Sequence, residues 1–81
     1  MNDDTVDTAI LALVKARGAE KSVGPAEVAK SLDAENWRRR LGAVKASAVR
    51  LAQAGAVNIL RKGKPVDPED FKGVYRISLK T

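Results

Sequence analysis

The sequence contains no cysteine and no histidine, and these two absences exclude several classes of chemistry. Without cysteine, the chain forms no disulfides, cysteine-ligated zinc sites or thiolate nucleophiles. Without histidine, it has no imidazole for acid–base catalysis or for binding a metal. A domain of 81 residues without such cross-links must be stabilised by packing alone.

Aromatic residues and long apolar runs are also scarce. The chain has one Trp, one Tyr and one Phe, and thirteen of its hydrophobic residues are alanine, so we expect a core of Val, Leu and Ile. No apolar run approaches the roughly 20 residues that cross a bilayer, and the acidic N-terminus does not resemble a signal peptide. We therefore expect a single soluble domain over residues 1–81, located in the cytoplasm, with no membrane partner.

Catalytic and cofactor-binding motifs are missing as well. Gly63-Lys64 lacks the preceding glycine and the following hydroxyl residue of a phosphate-binding P-loop. The acids of the segment 67–70 lack the spacing and the length of a calcium loop. No pair of carboxylates indicates an acid–base site. The sequence predicts a protein that is not an enzyme and that binds no cofactor and no metal.

Charge is divided unevenly along the chain. Residues 1–35 carry seven acids and four bases, a net charge of −3, whereas residues 36–81 carry eleven bases and three acids, a net charge of +8. The basic half also contains a predicted helix that leads into two predicted strands. Clustered positive charge on a helix and an adjoining hairpin is typical of a surface that binds polyphosphate.

The acidic half predicts two helices with a brief edge strand between them. Residues 3–5 offer side-chain oxygens that can cap the first helix, and Gly18 suits its end. Its apolar stripe, at helical spacing, consists of Val6, Ile10, Leu13 and Val14. Lys21-Ser22-Val23 is long enough only for a short edge strand. Gly24-Pro25 starts the second helix, because proline suits the first helical position.

The basic half predicts a third helix and two strands. Asp33 is expected to cap the segment that contains Trp37, with a break or a helix start near Gly42 and a helix end at Gly55. The predicted strands are Val57–Arg61 and Val74–Leu79. The apolar face of the second strand consists of Tyr75, Ile77 and Leu79. Its solvent-facing (wet) face consists of Val74, Arg76 and Ser78. The twelve residues between the strands are too many for a tight hairpin. Within them we expect Asp67 to cap one helical turn that Gly73 closes.

The order of these elements predicts a winged helix-turn-helix of the α+β class. Three helices would build the core, and a two- to three-stranded antiparallel sheet would form the wing beside the third helix. This arrangement commonly places a helix in the DNA major groove. The same fold also serves as a protein-docking module, so the fold alone does not decide the function.

One face of the segment 37–53 carries most of the functional signal. On a helical wheel the apolar residues lie on one side, namely Trp37, Leu41, Val44, Ala48 and Leu51. Arg39, Ala46, Arg50 and Gln53 lie opposite them, flanked by Arg38 and Lys45. This pattern predicts phosphate contact. The alternative is an ordinary solvated face, but such faces usually mix both signs of charge, and Glu35 is the one acid nearby.

The predicted nucleic-acid contacts fall into two groups. Phosphate contacts are expected from Arg38, Arg39, Lys45, Arg50, Lys62 and Lys64. Ser47 and Gln53 are minor candidates for base edges, beside the guanidinium of Arg50. The remaining outward positions of the third helix include glycine and alanine, which offer no side-chain donors. Base reading is therefore expected to be modest, and the same flat face suits a partner protein.

The loop between the strands is basic at its beginning, with Arg61, Lys62 and Lys64. A basic wing tip is typical of contact with a sugar–phosphate backbone, although lysine and proline on an edge strand also prevent aggregation. We expect the acids of the segment 67–70 to turn inward as caps and Phe71 to fold back onto the body. Trp37 is expected to anchor the core, with base stacking as the alternative.

Several motifs occur together and resemble a known family: Gly24-Pro25-Ala26-Glu27-Val28-Ala29, Trp37-Arg38, Val44, Arg50-Leu51-Ala52 and Gly63-Lys64-Pro65-Val66-Asp67-Pro68. They resemble a family of small bacterial winged-helix proteins catalogued as a domain of unknown function. The resemblance extends from about Val6 to Leu79. It implies the winged-helix fold and a bacterial cytosolic origin, and it brings no activity and no binding residues.

The leading hypothesis is a winged-helix protein that binds double-stranded DNA and acts as a small regulator or accessory factor. The alternative is a protein–protein interaction module that uses the same helix and wing. Structured RNA is a third candidate partner. The protein is expected to be a monomer or a weak homodimer.

Overall fold

A computed structural model describes residues 3–18 and 20–80, with the backbone alone for Asp3. Three α-helices and one 3-10 helix are followed by most of the sheet. The elements are α1 (Asp3–Arg17), β1 (Ser22–Val23), α2 (Pro25–Leu32), a 3-10 helix (Trp37–Arg40), α3 (Leu41–Gln53), β2 (Val57–Arg61), β3 (Lys64–Pro65) and β4 (Arg76–Leu79). The predicted side-chain cap of α1 by Asp3 lies outside the described residues.

The four strands form one antiparallel sheet in the order β1-β4-β2-β3. Val57 pairs with Leu79 and Ile59 pairs with Ile77, which places β4 in the interior of the sheet. The brief edge strand predicted before α2 is confirmed, because Val23 pairs with Ile77 at the opposite side of β4. Three helices beside a four-stranded antiparallel sheet confirm the α+β class and fit the winged-helix arrangement.

The core is built from aliphatic side chains of all three α-helices and the sheet. Its buried hydrophobic residues are Val6, Ile10, Val14, Val23, Val28, Ala29, Val44, Ala48, Val57, Ile59, Tyr75 and Ile77. The leucines, Leu13 among them, pack around this centre and are only partly buried. The β-branched side chains of valine and isoleucine therefore fill most of the centre of the core, and leucines cover its margins.

The start of α2 follows the sequence signal at Gly24-Pro25. The Gly24 backbone N–H donates to Glu27 Oε2 at 3.1 Å, and Arg17 lies 3.2 Å from the other carboxylate oxygen. Desolvation of Glu27 raises its pKa, but the hydrogen bond from Gly24 and the charge of Arg17 outweigh it, so the pKa is lowered. The helix start is thus satisfied by a charge-assisted hydrogen bond.

The break predicted near Gly42 is confirmed, since the 3-10 helix ends at Arg40 and α3 begins at Leu41. Asp33 caps the turn that precedes the 3-10 helix, because its Oδ1 accepts the Asn36 N–H at 3.0 Å. That backbone hydrogen bond, opposed by desolvation and aided by Arg40, lowers the pKa of Asp33. The two helical segments are therefore not one continuous helix.

The end of α3 at Gly55 is confirmed in detail. Gly55 has φ 83°, and its N–H donates to the Ala52 carbonyl at 3.1 Å. The Ala56 N–H donates to the Leu51 carbonyl at 2.9 Å. These two hydrogen bonds form a Schellman motif, which satisfies the last carbonyls of the helix.

The two predicted strands are joined by a long connection, as expected, but the additional strand β3 within it was not predicted. Lys62 and Gly63 form a two-residue turn with φ 53° and 79°, the combination of a type I′ turn. Arg61 pairs with Lys64 and Leu60 pairs with Pro65, so β3 folds directly back onto β2. Because proline lacks an N–H, Pro65 is tolerated on this edge strand. The sheet therefore has four strands instead of two or three.

The helical turn expected between β3 and β4 is a non-helical turn, and its three acids, Asp67, Glu69 and Asp70, are exposed instead of turned inward. The Glu69 N–H donates to Asp67 Oδ1 at 2.9 Å, and the ring of Phe71 packs edge-on against Tyr75, with 5.3 Å between centroids. The Val74 carbonyl accepts a hydrogen bond from Arg61 Nε at 3.0 Å. β4 begins at Arg76, two residues later than predicted.

The predicted alternation along β4 holds except at one residue. Ser78 was expected on the wet face but is only 6% exposed. It pairs with Ser22 on one side and Asn58 on the other, so neighbouring strands cover it on both flanks.

Gly42, within α3, and Gly55, just after its end, allow the cost of positive φ to be distinguished from helix propensity. Gly55→Ala should lower the free energy of unfolding by about 1–2 kcal/mol, because alanine is disfavoured at positive φ. Gly42→Ala should raise it by roughly 0.5 kcal/mol, because Gly42 is helical and open space surrounds its Cα. Urea unfolding of both variants measures the difference, and equal shifts would contradict the assigned helix end.

Candidate nucleic-acid interface

Five of the six predicted phosphate contacts are exposed and lack an ion pair with any described carboxylate. They are Arg38, Arg39, Lys45, Lys62 and Lys64, and we call them the solvent-facing cations. Two belong to the 3-10 helix, one to the first turns of α3 and two to the β2–β3 hairpin. The 3-10 helix, α3 and the β2–β3 hairpin follow one another directly in the basic half of the sequence.

Arg50, the sixth predicted phosphate contact, has a different environment. Its two terminal nitrogens donate to Asp7 of α1 at 2.9 and 3.1 Å, and Nη2 also donates to Ser47 Oγ at 3.0 Å. The Asp7 side chain is only 19% exposed. The guanidinium therefore joins α3 to α1, and a contact from Arg50 to phosphate would compete with Asp7.

The two minor candidates for base edges are also engaged within the protein. Ser47 is 1% exposed, because it lies three residues after the buried Val44 and so shares its face of the helix. Its assignment to the outer face is wrong. Gln53 is exposed, but its Nε2 donates to Glu69 Oε1 at 2.8 Å.

Small residues occupy the exposed face at the beginning of α3. Gly42, Ala43 and Ala46 are exposed around Lys45. With no side chain beyond a methyl group, these positions allow another backbone or a flat surface to approach closely. Lys45 is the single polar side chain among them, and its Nζ lies 5.1 Å from the centroid of the Phe71 ring.

Lys45 and Lys62 flank one segment, Val74-Tyr75, in which Val74 is exposed and Tyr75 is buried. A groove of about 510 Å³ lies beside α3 and is lined by Pro25, Leu41, Gly42, Lys45, Gly73, Val74 and Tyr75. A smaller cavity of about 160 Å³ is lined by Ser22, Leu60, Lys62, Gly63, Val74, Tyr75 and Arg76. Both linings share Val74 and Tyr75, and their charged residues are all basic. The helix and the hairpin therefore present positive charge on the two sides of Val74.

Val74 itself is the residue that sequence reasoning missed. It is 83% exposed, a large apolar side chain in open solvent. The alternation along β4 correctly placed it on the wet face, and an apolar residue on such a face was the available signal. Val74 lines both the groove and the smaller cavity.

Tyr75 is the buried residue of the Val74-Tyr75 segment. The residue is 7% exposed, and its hydroxyl has no hydrogen-bond partner among the described residues. Burial raises the pKa of Tyr75 to about 12, so the phenol stays neutral at physiological pH. The ring contributes packing with Phe71 and no charge to the surface.

Trp37 lies between the core and the solvent-facing cations. It packs against the core while remaining partly exposed, which modifies the expectation of a buried anchor. Lys30 Nζ and the Arg38 guanidinium carbon lie 4.8 and 4.5 Å from its ring centroid. Cation–π contacts of this kind contribute about 0.5–1 kcal/mol at exposed sites. They orient Arg38 without neutralising its charge.

Within the two described ranges, no helix has both the length and the apolar character needed to cross a membrane.

Comparison with known proteins gives one assignment. No curated protein matches the chain. The sequence matches the family described as "Protein of unknown function (DUF3253)" over residues 3–80. Because this match covers nearly the whole chain, the protein belongs to the DUF3253 family, as the resemblance of its motifs to a domain of unknown function predicts.

Proposed function

We propose that this domain binds double-stranded DNA as a small regulator or accessory factor. The contact surface consists of the 3-10 helix, the beginning of α3 and the β2–β3 hairpin. The observation that carries the proposal is that five exposed basic side chains belong to these elements and none of them pairs with a described carboxylate. Among the described residues, the ion pairs with carboxylates are made by Arg17, Arg40 and Arg50.

The paired cations connect neighbouring elements, and one of them, Arg40 of the 3-10 helix, pairs with Asp33. Arg17 pairs with Glu27, and Arg50 pairs with Asp7. The solvent-facing cations have no such neutralisation, and two of them flank the shared Val74-Tyr75 segment. Because surfaces without a charged partner usually mix both signs, an unneutralised basic surface favours a polyanion.

The shape of the surface suits a duplex. Lys62 lies in the two-residue turn and Lys64 follows it as the first residue of β3, so the hairpin fixes the backbone of both lysines. Small residues at the start of α3 permit the helix to approach a groove closely. Lysine and arginine contacts to phosphates supply affinity and orientation.

Salt dependence tests the proposal directly. If the five solvent-facing cations each neutralise one phosphate, log affinity should fall against log salt with a slope of about −4 to −5. Fluorescence anisotropy with a labelled duplex at several salt concentrations measures this slope. Absence of binding near roughly 50 mM salt, where phosphate contacts are strong, would contradict the proposal.

Single neutral variants test the location of the surface. Lys45→Gln and Lys62→Gln should each weaken binding and make the salt slope shallower by about 1. Lys15→Gln is the matched control, because Lys15 is an exposed lysine on α1 and the change removes the same charge. An equal loss of affinity in all three variants would show that net charge, and not this surface, governs binding.

A protein-interaction module is the second candidate, favoured by the exposed Val74 beside a groove. Val74→Ser removes apolar surface without changing charge. It should leave DNA affinity within about twofold if phosphate contacts dominate, whereas a protein partner that docks on the groove should be lost. An Arg39→Glu, Lys45→Glu variant provides the reverse test in the same assays. Competition between duplex DNA and duplex RNA addresses the third candidate partner.

A further inference from the structure

We infer that the domain binds DNA duplexes without reading their base sequence, because internal contacts occupy the side chains of α3 that could read bases. The inference rests on the proposed DNA-binding function and specifies its ligand as a duplex of any mixed sequence. Base reading in the major groove requires donors and acceptors that are available in a fixed geometry. In α3 the side chains with such groups are Lys45, Ser47, Arg50 and Gln53.

Arg50 has the side chain best suited to guanine, and Asp7 holds it. The two hydrogen bonds to Asp7 use the same parallel fork of nitrogens that would contact guanine O6 and N7. Ser47 accepts a third hydrogen bond from the same guanidinium. Reading a guanine would require Arg50 to leave all three contacts and to leave the Asp7 carboxylate without this partner in a half-buried site.

Gln53 has the side chain suited to adenine, and Glu69 holds it. Adenine recognition uses both the amide nitrogen and the amide oxygen of a glutamine, but Gln53 Nε2 already donates to Glu69 Oε1 at 2.8 Å. The carboxylate of Glu69 also places negative charge beside this end of α3, which opposes close approach of a phosphate backbone. The last turn of α3 is therefore poorly suited to enter a groove of DNA.

The remaining side chains of α3 and its neighbour Arg39 offer positive charge but no fixed pattern of hydrogen-bond donors and acceptors. Lys45 is a single ammonium group on a flexible chain, which contacts phosphate without the fixed geometry of a guanidinium. Its exposed neighbours on α3 are glycine and alanine. Arg39 precedes α3 and is exposed; a lone contact from it to guanine is available in every mixed-sequence duplex and so defines no particular site.

Binding to a panel of duplexes of equal length and different mixed sequence tests the inference with the full chain. Affinities should agree within about threefold, and repeated selection from a random duplex pool should enrich no motif. A mismatch in a specific site usually costs 1–3 kcal/mol, so one duplex bound more than about tenfold tighter would overturn the inference while leaving DNA binding intact. Failure to bind any duplex would instead overturn the proposed function and the inference with it.

Two variants show whether Gln53 is a reader in the same panel. Gln53→Ala should leave the affinities and their order unchanged, because the amide is committed to Glu69. Lys45→Gln should reduce all affinities by the same factor, as expected of a phosphate contact. A Gln53→Ala variant that changes the order of the duplexes would contradict the inference, and circular dichroism of each variant verifies that the fold is retained.

Discussion

The burial of one stripe of α3 against α1 and the sheet determines the surface of this domain. Val44, Ser47 and Ala48 are fully covered, and this fixes the rotation of the helix about its axis. Gly42, Ala43, Lys45 and Ala46 must then face solvent. A domain this small has one core, so a change that rotates α3 would expose aliphatic surface that nothing else can cover.

The electrostatic character of the protein follows from that rotation. It brings Arg50 to Asp7 and leaves Lys45 outward beside the groove at Val74. Such surface ion pairs add little stability, usually below about 1 kcal/mol, so their main consequence is the distribution of charge. Glu27, Asp33 and Asp7 pair with Arg17, Arg40 and Arg50, whereas Arg38, Arg39 and the two hairpin lysines have no carboxylate partner among the described residues.

Local sequence signals predicted most of the fold, whereas contacts between distant residues decided the site. Gly24-Pro25, Gly55 and the limits of β2 were correctly identified, because caps, turns and strand alternation depend on neighbouring residues. The turn at Lys62-Gly63 was missed, since the twelve residues between the two predicted strands were treated as one long loop. The partners of Arg50 and Gln53 lie 43 and 16 residues away in sequence, and no local pattern identifies them. Ser47 was predictable in principle, because it lies three residues from a core position.

The central claim is that one surface, formed by the 3-10 helix, the beginning of α3 and the β2–β3 hairpin, binds duplex DNA. Titration of 15N-labelled protein with a mixed-sequence duplex, followed by two-dimensional NMR, tests this claim most directly. Amide shifts should change at Arg38, Arg39, Lys45, residues 62–64 and Val74, while those around Asp7 and β1 stay unchanged. Shifts confined to α1, or no shifts near roughly 50 mM salt where phosphate contacts are strong, would contradict the account.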